Sequence, residues 1–125
     1  MSNDKYDEGL EIRRSVLGSE YVDNAIASAD EFNQPMQELV TEVAWGTIWS
    51  RPGLPRKTRS LLNLAMLSAL NRPHELKLHV RGALNNGVTK DEMQEVFLQV
   101  AVYCGAPAAI DAFRTAREVF SESED

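Results

Sequence analysis

The chain has 125 residues, of which 43% are hydrophobic and 26% are charged, and its formal net charge is −6 at pH 7. These values are typical of one globular domain, 1–125, and the negative charge argues against a general nucleic-acid binder. The longest uncharged run, Val96–Ile110, is broken by glycine and proline, so we expect no membrane span. The polar amino terminus is unlike a signal peptide and the single cysteine permits no internal disulfide, so we expect a cytoplasmic protein.

Charge is distributed unevenly along the chain. Residues 1–42 contain ten acids and three bases, whereas residues 43–90 contain eight bases and one acid, Glu75. A basic middle in an acidic chain favours a local pocket for a small anion over a surface for a polyanion. The alternative is that these bases form salt bridges with acids of the flanking segments.

Capping, glycine and proline signals predict up to seven helices. In chain order they cover about residues 6–17, 19–29, 33–49, 55–70, 73–87, 90–103 and 107–120. Ser19 is the expected cap of the second helix, and Thr89 with Glu92 forms a capping box before the sixth. No segment of strand length alternates between apolar and polar residues, so the predicted fold class is all-α. The core covers about residues 6–120, and the acidic tail 121–125 is expected to fray.

The fourth and sixth helices are apolar on nearly every side. The apolar residues are Leu61, Leu62, Leu64, Ala65, Met66, Leu67, Ala69 and Leu70 on the fourth helix and Val96, Phe97, Leu98, Val100, Ala101 and Val102 on the sixth. A helix that is apolar all round must be buried, and a domain of this size has little volume for two such helices. We therefore expect subunit contacts.

One face of the fifth helix carries the residues best suited to chemistry. At about 100° per residue, seven positions fall within a stripe of roughly 120°: Arg72, Glu75, Leu76, His79, Gly82, Ala83 and Asn86. Glu75 and His79 are four residues apart and can meet, so the carboxylate is expected to orient the imidazole and raise its pKa. The alternative is a histidine that is hydrogen-bonded for stability only.

Other candidate residues each have a structural interpretation beside the functional one. Arg51, Arg56 and Arg59 surround the turn before the fourth helix and could grip a carboxylate or pair with nearby acids. Cys104 precedes a helix and could be a nucleophile, although a small buried side chain at a tight turn is the preferred interpretation. Trp45 and Trp49 are expected in the core. Glu75 and His79 lack the further ligands of a metal site.

Taken together, several segments resemble γ-carboxymuconolactone decarboxylase over about residues 6–120. The two most specific are Trp49-Ser50-Arg51-Pro52-Gly53-Leu54 and Tyr103-Cys104-Gly105-Ala106-Pro107-Ala108-Ala109. Weaker matches include Arg59-Ser60-Leu61, Ala69-Leu70-Asn71-Arg72-Pro73, Glu75-Leu76-Lys77-Leu78-His79 and Arg81-Gly82-Ala83. Val43 stands where the family has an aromatic residue, so we expect one pocket wall to differ.

The resemblance implies an AhpD-like helical domain in a homohexamer. The implied activity is cofactor-independent decarboxylation of 4-carboxymuconolactone, an anionic lactone of protocatechuate breakdown, to 3-oxoadipate enol-lactone and CO2. His79 is the expected acid or oxyanion donor and Glu75 its orienter, while Arg51, Arg59, Arg72 and Arg81 are candidate partners of the substrate carboxylates. Thiol peroxidases of the same superfamily use a cysteine pair, and this chain, with one cysteine, cannot perform that dithiol chemistry.

Two other functions remain open from the sequence. A hydrolase or isomerase of the same lactone could use the same pocket without losing CO2. A non-catalytic helical oligomerisation module could use the basic segment to bind a partner protein.

Overall fold

The computed structural model describes residues 3–123, and within that range the chain is helical without β-strands, which confirms the all-α prediction. The elements are α1 (Asp4–Leu17), α2 (Ser19–Ala27), α3 (Gln34–Leu39), a π-helix (Val40–Ile48), α4 (Arg56–Ala69), α5 (Pro73–Asn85), α6 (Lys90–Cys104) and α7 (Ala106–Ser123). The chain forms two compact units that divide between Pro55 and Arg56. Among the described helices, none is both long enough and apolar enough to cross a bilayer.

Most helix ends lie close to their predicted positions. Gly18, Gly87 and Gly105 have φ values of 94°, 87° and 106°, which glycine adopts without steric cost. Ser19 is the first residue of α2 rather than its cap, because Gly18 occupies the capping position. Helix α7 continues to Ser123, beyond the predicted end near Phe120, and residues 124–125 of the predicted tail lie outside the described range.

The capping box before α6 is present. Thr89 Oγ1 accepts a hydrogen bond from the Glu92 amide at 3.1 Å, and Glu92 Oε1 accepts one from the Thr89 amide at 2.9 Å. Lys57 Nζ of α4 lies 3.0 Å from Glu92 Oε2. The start of α6 is therefore fixed both by its own backbone amides and by a contact with α4.

The first unit has α1 packed against the π-helix. Its core is formed by Ile12 and Val16 of α1 with Trp45 and Trp49, whose rings stack with centroids 4.7 Å apart. Both tryptophans are buried, which confirms the prediction that they are core residues.

The segment from Asn33 to Trp49 departs from the predicted single α-helix. Residues up to Leu39 are α-helical, and Val40–Ile48 then form a π-helix, in which a backbone amide bonds the carbonyl five residues earlier. The Trp49 amide continues this pattern by donating to the Ala44 carbonyl at 3.0 Å. Trp45 and Trp49 therefore stack on a helix that is wider than an α-helix.

In the second unit, α4 to α7 surround a core that includes Leu64, Val80, Phe97 and Ala116. In the single chain, α4 and α6 each bury one side and expose the other. The exposed side of this helix pair, here called the α4/α6 apolar face, consists of Leu62, Met66, Leu70, Leu98, Val102 and Tyr103. One chain thus leaves one side of each helix exposed, as its small volume predicts, and the expected subunit contacts remain a prediction.

Candidate active site

The candidate site lies where α4 packs against α5. Of the seven residues in the predicted α5 stripe, Leu76, Gly82 and Ala83 are buried, His79 and Asn86 are partly buried, and Arg72 and Glu75 are exposed. The stripe therefore runs from the core of the second unit to its surface, with His79 between the two.

His79 contacts a residue of α4 that the sequence reasoning did not single out. Asn63 Nδ2 lies 3.4 Å from His79 Nδ1, a long hydrogen bond. A side-chain amide nitrogen donates and cannot accept, so this contact requires Nδ1 to accept. A neutral ring then carries its proton on Nε2.

Burial lowers the pKa of His79 to about 4, while the nearby Glu75 carboxylate raises it by a smaller amount. The expectation that Glu75 leaves His79 with a raised pKa is therefore wrong, because the cost of desolvating an imidazolium exceeds the attraction of an exposed carboxylate. Near neutral pH His79 is a neutral imidazole. Such a ring is a good hydrogen-bond donor to an oxyanion and a poor source of a proton.

A second polar contact joins the same two helices. Asn86 Nδ2 of α5 donates to Ser60 Oγ of α4 at 2.9 Å, and Ser60 is buried.

The sequence signal that could have identified Asn63 is its position between Leu62 and Leu64, where an amide interrupts an otherwise apolar helix. Buried or partly buried polar groups of this kind need partners.

The four candidate arginines have different surroundings. Arg59 is partly buried, with Nε shielded from solvent, and lies one turn before Asn63 on α4. Arg72 is exposed in the capping position of α5. Arg81 Nη2 lies 2.6 Å from Glu122 Oε2 of α7, and by helical geometry it is about 200° from His79. Arg59 and Asn63 thus lie one turn apart on α4, whereas the Arg81 side chain contacts α7.

Arg51, the remaining candidate, belongs to the first unit. It is exposed in the turn that follows the π-helix, where its backbone amide donates to the Ile48 carbonyl at 3.1 Å.

Cys104 is exposed in the single chain, so the preferred prediction of a buried small side chain is wrong there. It ends α6 and, with Met66 and Tyr103, lines an open groove of ≈ 420 Å³ between α4 and α6. The reason for its exposure is that the end of α6 belongs to the α4/α6 apolar face, which no element of the second unit covers in residues 56–123.

Comparison with known proteins places this geometry in a family. The profile of the carboxymuconolactone decarboxylase family matches residues 34–118, which include α4, α5 and α6. The match therefore covers Asn63, Glu75 and His79.

Individual relatives match nearly the whole chain. The chain is 51% identical to nitrosuccinic acid decarboxylase npaB of Metarhizium robertsii over 96% of its length and 84% of that protein's. It is 48% identical to 4-carboxymuconolactone decarboxylase of Acinetobacter baylyi, over 94% of this chain and 88% of the relative. An uncharacterized 15.0 kDa protein of Paracoccus denitrificans is 36% identical over 67% of the chain and 64% of its own length. The chain belongs to the carboxymuconolactone decarboxylase family.

Proposed function

We propose that this protein is a cofactor-independent carboxy-lyase that converts 4-carboxymuconolactone to 3-oxoadipate enol-lactone and CO2 in protocatechuate catabolism. Two relatives that each cover more than nine-tenths of the chain are named as decarboxylases, one of them for this lactone. The structural observation that carries the proposal is the partly buried, neutral imidazole of His79, held between α4 and α5.

The chemistry of the lactone accounts for a reaction without a cofactor. The departing carboxylate is attached to the γ-carbon of an α,β-unsaturated lactone. As the bond to CO2 breaks, its electron pair moves through the ring double bond to the lactone carbonyl and forms a dienolate. Protonation of the ring α-carbon, with a proton taken up from water, then gives the enol-lactone. The substrate is its own electron sink, so the protein must stabilise the oxyanion and hold the carboxylates.

His79 is the proposed oxyanion donor. With its proton on Nε2, the neutral ring can donate to the lactone oxygen as negative charge develops, without first having to lose or gain a proton. Its pKa of about 4 favours this role over that of general acid near neutral pH. Glu75 acts as an exposed charge beside the ring and would orient it.

Arginines are the proposed carboxylate partners because a guanidinium can bind a carboxylate through two parallel hydrogen bonds. Arg59 has the best support, since it is partly buried and lies one turn from Asn63. Arg72 and Arg51 are exposed. Arg81 Nη2 lies 2.6 Å from Glu122 Oε2, so it would have to exchange that partner for a substrate carboxylate.

The relative named for nitrosuccinic acid gives a specific reason to consider a second substrate. Nitrosuccinic acid also has two carboxyl groups, one of them on the carbon that bears the nitro group. Loss of CO2 from that carbon moves the electron pair onto nitro oxygens as a nitronate. The same oxyanion donor and carboxylate-binding arginines would serve both reactions.

The test is to assay the purified protein with 4-carboxymuconolactone and with nitrosuccinic acid, while recording CO2 release and ultraviolet absorbance. We expect CO2 from the lactone at a higher kcat/KM, unchanged by exhaustive chelation. Consumption of lactone without CO2 would instead indicate a hydrolase or isomerase. Preference for nitrosuccinic acid would reassign the substrate, and inactivity on both would favour an oligomerisation module.

A homo-oligomer in the cytoplasm completes the proposal. The α4/α6 apolar face borders a groove whose lining residues carry no charged side chain, so a second copy of the same face would cover it without burying a charge. A hexamer is the assembly implied by the family resemblance. The cytoplasmic location is supported by the single cysteine of the chain.

A further inference from the structure

We propose that Asn63 is a positioning residue that holds His79 in the tautomer protonated on Nε2, and thereby makes Nε2 the hydrogen-bond donor of the site. This inference rests on the proposed function of His79. Asn63 itself need not touch the substrate.

The contact between the two side chains determines which nitrogen can carry the proton. Asn63 Nδ2 lies 3.4 Å from His79 Nδ1. An amide NH2 group only donates, so Nδ1 must present its lone pair, and the single proton of the neutral ring must lie on Nε2. If Nδ1 were protonated, the Asn63 amide would have to turn over so that Oδ1, instead of Nδ2, faced the ring.

The burial of His79 makes the choice of tautomer important for the chemistry of the site. Burial holds the pKa of His79 at about 4, so near neutral pH the ring has one proton and the two nitrogens have opposite hydrogen-bonding roles. In the imidazolium both nitrogens donate, and no residue would be needed to select between them.

The position of Asn63 is fixed by the helices that carry it. Its neighbour in sequence, Leu64, is fully buried, as is Val80 next to His79. The hydrogen bond from Asn86 to Ser60 links the same two helices. The packing of α4 against α5 therefore sets the distance between the Asn63 and His79 side chains, and the Asn63 amide, in the orientation seen, donates to Nδ1.

The direct test is nitrogen NMR of the full-length protein labelled with ¹⁵N-histidine, without substrate. The chain has two histidines, and the spectrum of His79→Gln identifies the signals of His79. We expect a protonated Nε2 and an unprotonated Nδ1 in the neutral ring. Protonation of Nδ1 in the wild-type protein would overturn the proposal, whatever the substrate proves to be.

Two variants of similar shape then test the role of Asn63. Asn63→Leu removes the donor, and we expect the ring to populate both tautomers. Asn63→Asp places an acceptor at Nδ1, and we expect the neutral ring to carry its proton there. Asn86→Leu is the matched control, because it removes the other amide contact between these helices and should leave the His79 tautomer unchanged. An unchanged tautomer in both Asn63 variants would overturn the proposal.

Kinetics connect the tautomer to turnover. At a pH where NMR shows the ring to be neutral, Asn63→Asp should lower kcat by about 10²–10³-fold, the scale of losing one oxyanion donor, with a much smaller change in KM. Asn63→Leu should lower kcat less. A shifted tautomer with wild-type kcat would overturn the positioning role. If the wild-type protein acted on neither 4-carboxymuconolactone nor nitrosuccinic acid, the proposed function would be contradicted. The NMR measurement would still test the tautomer, because it uses no substrate.

Discussion

His79 experiences two opposing influences on its pKa. Burial between α4 and α5 lowers the pKa, and the Glu75 carboxylate four residues earlier raises it by less, so the result is about 4. An exposed carboxylate is screened by water and offsets only part of the cost of desolvating the imidazolium. Burial of the ring thus determines the protonation state of the site at neutral pH.

Replacement of His79 by alanine should lower kcat by about 10²–10³-fold, because the developing oxyanion loses its donor. Binding of an unreactive substrate analogue should weaken far less, since the arginines contact the ground state. Steady-state kinetics, analogue titration and a thermal melt on one preparation measure all three quantities. His74→Ala, at an exposed position of the same helix, is the matched control. A destabilised variant with wild-type kcat would mean that His79 is a packing residue.

The lowered pKa of His79 also predicts how stability changes with pH. Its ordinary pKa is 6.5 and its folded value about 4. Between these values the unfolded chain binds a proton that the folded chain does not, so the free energy of unfolding should fall as the pH falls. The total loss of stability from this group is about 3 kcal/mol, and it is absent above the unfolded pKa.

Urea unfolding at a series of pH values, with His79→Gln for comparison, measures this contribution. Other groups, including Glu122, whose pKa Arg81 and Lys77 lower to about 2, affect both proteins and cancel in the difference. The wild type should lose more stability than the variant as the pH falls from 6.5 towards 4. Parallel curves would contradict the assignment of a buried neutral imidazole.

At the residue scale, the sequence predicts positions on one helix better than contacts between helices. The spacing of Glu75 and His79 on α5 follows from the helical repeat alone. The contact with Asn63 and the pairing of Arg81 with Glu122 depend on how α4 and α7 pack against α5, which no periodicity in one segment specifies. The direction of the His79 pKa shift was missed for the same reason, since burial is a tertiary property.

At the scale of elements, two glycines allow α1 and the π-helix to approach closely. A Cβ atom on Gly9 would collide with the Thr41 carbonyl oxygen and the backbone nitrogen of Gly46, and one on Gly46 would collide with the Lys5 carbonyl oxygen. All of these are backbone atoms, which cannot move aside as a flexible side chain can. The pairing of the two helices therefore requires both glycines.

Gly9→Ala should destabilise the protein by about 3 kcal/mol, the upper part of the range for overpacked sites. This is opposite in sign to the usual gain of about 1 kcal/mol when alanine replaces glycine inside a helix. Denaturant unfolding measures the change. Gly53→Ala, where an added Cβ would meet nothing within 4 Å, is the control and should be nearly neutral. A stable Gly9→Ala variant would show that the two helices can separate at low cost.

Helix existence and most helix ends were predictable because caps, glycines and prolines act locally. The capping box at Thr89 and the positive φ of Gly105 are examples. The π-helix was not predictable, because no cap, glycine or proline signal marks a change from α-helix at Val40. Thr41 and Gly46 of this segment are buried and lie against Gly9, and the residue types of Val40–Ile48 would equally suit an α-helix.

At the scale of the whole molecule, the α4/α6 apolar face is an extended exposed apolar surface of the second unit. Val102 and Tyr103 are each 81% exposed and Leu70 is 63% exposed. Contiguous exposed apolar surface of this kind usually marks an interaction site. On the α4 side of this face, Leu62, Met66 and Leu70 are four residues apart. Their side chains therefore form a continuous apolar strip along the helix.

Sedimentation of the wild-type protein at micromolar concentration should give a mass several times 14.0 kDa. Met66→Glu places a charge in the strip and should shift the mass towards that of one chain, because a buried unpaired charge is costly. Ile110→Glu, the same kind of change at an exposed position of α7, is the control and should retain the assembly. A wild-type monomer would contradict the proposed oligomer.

The stacked pair Trp45 and Trp49 makes the first unit optically distinct from the second. The chain has two tryptophans, and both are buried there, 4.7 Å apart between ring centroids. Intrinsic tryptophan fluorescence therefore reports on residues up to Pro55, whereas far-ultraviolet circular dichroism reports on helices of both units. Coincident midpoints from the two signals would show that the halves unfold as one cooperative body, and separate midpoints would reveal a half-folded species.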